Sequence, residues 1–197
     1  MVTLALGLLI FLGVHSLRLL APQWRYRQLS RWGSLRFKAA CALVSLLGFV
    51  LIVQGYPESK QMPLELWQPP LALRHLSATL MWPATVMLVA AYVPGNGIRS
   101  KLRHPMTLSV KIWALAHLLS NGHVADVLMF GTFLIWSVLI YRAARQEDRS
   151  QMVGMMGSTG PWLNLGTLVS VAAGTAAWFW LALGGGHLSL IGVSPLG

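Results

Sequence analysis

The sequence predicts an all-α, polytopic membrane helix bundle of about six transmembrane helices, with both termini on the non-cytoplasmic side. Three observations carry that reading. The 197 residues are 55% hydrophobic and only 10% charged, whereas a soluble domain is about 25% charged. The mean hydropathy is +0.61, and apolar stretches recur at the roughly 20-residue length that a ~30 Å hydrocarbon core demands of a helix. Thirteen of the fifteen Lys and Arg residues cluster on alternate connections, which is the asymmetry of cytoplasmic loops.

The first span is expected from Val2 to Leu20. It has no basic n-region and no small-residue cleavage site after it, so it reads as a retained helix rather than a signal peptide. The second is expected from Leu35 to Gly55 and the third from Leu71 to Val93. The fourth, Pro105 to Ser120, is the shortest and most polar. The fifth covers Val124 to Ala144 and the sixth Trp162 to Leu183.

Arg18, Arg25, Arg27, Arg31, Arg36 and Lys38 flank the first connection, and Arg99, Lys101, Arg103 and Lys111 the third. Arg142, Arg145 and Arg149 follow the fifth span, leaving Lys60 and Arg74 on the opposite side. A net charge of +10 is thus explained by orientation in a bilayer, and nucleic acid is not an expected partner. The chain is read as one integral domain, with a five-helix block over 1–145, a cytoplasmic linker over 146–161 and a last helix over 162–184. The lone Cys41 excludes an intrachain disulfide and a cysteine cluster.

The block 103–131, RHPMTLSVKIWALAHLLSNGHVADVLMFG, is the most informative stretch, because ionisable groups at membrane depth are expensive and face a partner, cavity or cofactor. His117 lies twelve residues beyond Pro105, or roughly 18 Å along a helix. Trp113 and Asn121 are its neighbours at i−4 and i+4. His104 stands thirteen residues earlier, which is roughly 20 Å and 220° away on one helix, so the two cannot share a metal. His104 suits the helix start before Pro105, or contact with an anionic group. A second imidazole for His117 is therefore sought elsewhere. His75, after Arg74 at the outer end of the third span, matches it in depth, and His15, one turn before Arg18, is the other candidate. His123 and His187 are expected to be solvated, and Asp126 to be exposed near the outer turn.

The ordered motifs His15, Leu66-Trp67-Gln68-Pro69-Pro70 before Arg74-His75, Val89 to Gly95, Arg103-His104-Pro105-Met106 and Trp113 to Gly122 resemble the NnrU family of bacterial membrane proteins. The resemblance runs over about 1–145, and His123 stands where the family's pattern has an acidic residue. It implies a multi-pass protein of the bacterial inner (cytoplasmic) membrane linked to denitrification, that is, to nitrite and nitric oxide metabolism. Respiratory or denitrification enzymes would be its partners, beside the lipid bilayer. The family is also similar to the plant ζ-carotene isomerase, a haem b enzyme. Carried over, that enzyme's haem ligands fall on His15 and His117, whereas depth favours His75 with His117. Arg18, Arg74 or Arg103 would pair with the propionates, and Trp113 would pack on the macrocycle.

The expected function is therefore haem b binding, with redox or cis–trans isomerase chemistry on an apolar or small redox substrate. The alternatives are a small proton or metal transporter and an assembly factor for a respiratory enzyme. No nucleophile–base pair, phosphate loop or paired catalytic carboxylates occurs in the sequence.

Overall fold

The computed structural model describes residues 1–61, 64–150 and 161–191. Eight helices follow in order: α1 Val2–Leu20, α2 Pro22–Lys60, α3 Leu71–Tyr92, α4 Gly97–Leu102, α5 Pro105–Ser120, α6 Val124–Ser150, α7 Leu165–Ala182 and α8 Gly186–Ile191. Among the described residues there is no strand, and Glu65 meets His123 in a single antiparallel bridge. Five helices, α1, α2, α3, α6 and α7, are long and apolar enough to cross a membrane. α5 fills the expected fourth span but has only 16 residues, about 24 Å of helix.

Two boundaries differ from the sequence expectation. The basic first connection is helical rather than a loop. Pro22 opens α2 at a position where its missing N–H costs no bond, and the helical direction breaks only at Gly33, with φ 76° and ψ 162°. Trp24 packs edge-on against Phe37 across that break, with ring centroids 6.3 Å apart. At the other end of the chain, α6 continues past Ala144 to Ser150. The expected linker therefore begins as helix, and its residues 151–160 lie outside the described residues.

The chain forms two compact units, Met1–Leu66 with His123–Thr132, and Trp67–Gly122 with Phe133–Gly197. The first is built on the α1–α2 pair, whose backbones touch through glycine. A Cβ at Gly7 would lie 2.7 Å from the Ile52 nitrogen, and one at Gly48 would lie 2.7 Å from the Phe11 nitrogen. Small residues at the contact let helices approach this closely where lipid supplies no hydrophobic drive.

In the second unit α3 packs against both α5 and α7. Val86, Ala90 and Ile98 form its buried core, and a Cβ at Gly174 would reach 2.5 Å from the Val86 Cα. Side-chain bonds join the helices: Ser109 donates to the Ala84 carbonyl at 2.7 Å, Trp178 to the Ala78 carbonyl at 2.8 Å and Trp82 to the Thr175 hydroxyl at 2.9 Å. Buried serines close on their own helix, as Ser16 does on the Leu12 carbonyl and Ser170 on the Gly166 carbonyl, both at 2.7 Å. Polar groups in a bilayer must be satisfied internally in this way. Large apolar side chains point outward instead, among them Leu9, Leu35 and Leu139.

Candidate functional site

His117 sits in the last turn of α5, fixed from below by its own helix. Its Nδ1–H donates to the Trp113 carbonyl at 2.8 Å. A carbonyl only accepts, so Nδ1 carries a proton, and in the neutral form of the ring the lone pair lies on Nε2. The Trp113 ring lies 5.1 Å from the imidazole, centroid to centroid, and is itself held edge-on by Phe133 at 5.4 Å. Asn121 donates to the His117 carbonyl at 2.9 Å, which secures the end of the helix. The orientation of this imidazole is therefore set by two contacts, a hydrogen bond and a tilted aromatic ring.

His15 on α1 repeats the device. Its Nδ1–H donates to the Phe11 carbonyl at 2.7 Å, and the Phe11 ring lies 4.4 Å away. In both cases the carbonyl of the aromatic residue four positions earlier accepts the Nδ1–H bond, and the same residue's ring lies against the imidazole. His15 belongs to the first unit and His117 to the second. His15 and Arg18 are exposed along α1, and Arg74 and His75 are exposed in the opening turns of α3. Of the residues singled out in the sequence, the structure brings Trp113 and His117 into direct contact. Among the described residues, no three His, Cys, Asp or Glu side chains converge on one metal position.

His187, expected to be solvated, is instead half-buried on α8, with its ring 6.5 Å from that of His117 at an interplanar angle of 29°. His104 stands at the N-cap of α5 without a capping side-chain bond. Its Nε2 meets the Asp148 carboxylate at 3.1 Å, and the same carboxylate lies 3.6 Å from Arg103 and 3.7 Å from Arg145. Of its two expected roles, contact with an anionic group is the one its side chain fills.

Asp126 corrects the expectation most sharply. It is fully buried. The Tyr56 hydroxyl donates to it at 2.5 Å, and Lys60 pairs with it at 2.9 Å. The His123 backbone N–H donates to the same carboxylate at 2.9 Å, with the His123 ring 3.4 Å away. Asp126 is the third residue of α6 and accepts from the N–H of His123 three positions before it, as the acidic member of a capping box does. A carboxylate in a first turn also gains from the helix dipole. The sequence held one signal for this cluster: Tyr56 and Lys60 are four residues apart, hence on one face of α2, and Lys60 is one of only two cations assigned to the outer side.

The family model described as NnrU protein matches residues 3–195. The match extends well past the expected limit near residue 145 and takes in α7 and α8. No curated protein and no solved structure matches the chain.

Proposed function

The chain belongs to the NnrU family, and from that premise we propose that it is a haem b-binding protein of the bacterial inner membrane serving nitrite and nitric oxide metabolism. The observation that carries the proposal is His117, an imidazole with its proton held on Nδ1 by the Trp113 carbonyl and with the Trp113 ring tilted against it, 5.1 Å between centroids. Holding one ring nitrogen in a hydrogen bond sets the tautomer and raises the basicity of the other, which is what metal-ligating histidines require. The donor set fits haem, whose iron takes imidazole readily, and Trp113 and Phe133 offer the apolar surface that a macrocycle needs.

Bound haem would supply one-electron exchange or an open coordination position for a small ligand or alkene. The protein's own part is narrower. His117 would hold the group, the Trp113 ring would exclude water from one side, and Arg74 would offer a cation to a carboxylate. In this reading α5 is the sixth membrane-crossing helix and both termini face away from the cytoplasm. The substrate is a small redox molecule or an apolar one, as for the related isomerase, and a respiratory or denitrification enzyme is the partner. Protein purified after expression with ample haem should show a Soret band that His117→Ala removes. A haem-free, iron-free wild type would sink the proposal.

A second reading, a proton path, draws on Asp126, a buried carboxylate between Tyr56 and Lys60. Ionisable groups so placed mark proton routes in transporters. Proton flux into vesicles carrying haem-free protein, lost in Asp126→Asn, would favour it over haem chemistry.

A further inference from the structure

We infer that His187 is the second imidazole ligand of the metal held by His117, so that α8 completes the site. The inference rests on the haem reading above and names a ligand that sequence reasoning set aside as solvated.

Distance is the first argument. A metal–nitrogen bond of about 2.0–2.1 Å plus about 1.1 Å from nitrogen to ring centre puts each centroid about 3.2 Å from the ion. Two imidazoles on opposite sides of one ion then have centroids about 6.4 Å apart, while tetrahedral ligation brings them to about 5.2 Å. The His117 and His187 centroids are 6.5 Å apart. The ring planes are 29° from parallel, and at this separation the two imidazoles would be able to hold one ion between them. The separation is near the far limit of about 7 Å for ring pairs that attract one another by direct stacking.

The second argument is how the chain delivers His187. α7 ends at Ala182, and the Leu183 and Gly184 N–H groups both donate to the Phe179 carbonyl at 2.9 Å. Gly185 then takes φ +74°, a left-handed conformation that a side chain disfavours. A Cβ at Gly186 would lie 2.7 Å from the Trp180 ring. The chain can fold back over Trp180 only because these positions lack side chains, and the next residue is His187. Both imidazoles lie in the second unit, and residue 187 falls within the region matched by the family model.

The test is the visible and electron paramagnetic resonance spectrum of purified full-length protein. Wild type should give a low-spin, six-coordinate ferric haem. His187→Ala should convert most of it to high-spin, and His187→Met should restore low spin with a charge-transfer band of sulfur ligation. His15→Ala and His75→Ala should leave the low-spin signature in place. If His187→Ala and His187→Met both keep the wild-type spectrum while His15→Ala or His75→Ala loses it, this inference is overturned and haem binding stands. A wild type without haem overturns the parent reading and this inference with it.

Discussion

Asp126 and Lys60 form an ion pair at 2.9 Å in which the carboxylate is wholly shielded from solvent while the lysine side chain remains 29% exposed. The pair fastens the end of α2 to the start of α6 within the first unit, and Tyr56 completes the carboxylate's shell.

Removing the carboxylate should be costly. Asp126→Ala strands a partly buried ammonium and a buried hydroxyl, and should destabilise the protein by about 3 kcal/mol. Replacing both charges, as in Asp126→Leu with Lys60→Met, should cost less than Asp126→Ala alone, because no unpaired charge is left. Thermal unfolding in detergent measures both, and a double variant less stable than the single one would refute the argument.

Glycine contacts between α1 and α2 give a second prediction. Gly48→Ala forces a methyl to within 2.7 Å of the Phe11 backbone, and overpacking of this kind costs about 1–3 kcal/mol. Gly131→Ala meets nothing closer than 3.9 Å and should be neutral or stabilising by up to about 1 kcal/mol. Equal midpoints for the two variants would contradict the packing described.

The Trp113 ring and the Trp113 carbonyl act separately on His117. Trp113→Ala keeps the backbone acceptor and removes the ring, so haem should still bind, with affinity lower by about tenfold. Trp113→Phe should fall between wild type and Trp113→Ala. Haem titration read at the Soret band distinguishes these, and unchanged affinity in Trp113→Ala would remove the ring from the site.

Topology can be tested with the natural thiol taken away. In a Cys41→Ser background, a cysteine at Arg149 should react with a membrane-impermeant reagent only after the cytoplasmic side is opened. A cysteine at Gln68 should react in intact spheroplasts. The reverse pattern would invert the orientation expected from the charges.

Five of the expected spans were legible in the sequence because hydropathy acts over whole helices, and a local error of a few residues does not disturb them. The helix over 22–32 was not, because a run of Arg25, Arg27 and Arg31 looks like a solvated loop when its partner aromatics Trp24 and Trp32 are ignored. The contact of His117 with Trp113 was legible from their spacing of four residues, one helical turn. Asp126 was not, since its partners Tyr56 and Lys60 stand 70 and 66 residues away. His187 was hidden by its glycines, which suggest a frayed end until Trp180 is seen to need their missing side chains.

The central claim is that His117 is a haem ligand, and the most direct measurement is the absorbance spectrum of the purified protein, oxidised and reduced, beside that of His117→Ala. Wild type should show a Soret band with sharpened α and β bands on reduction, and the variant should lose them at equal protein recovery. Identical haem spectra in the two proteins, or no haem in either, would contradict it.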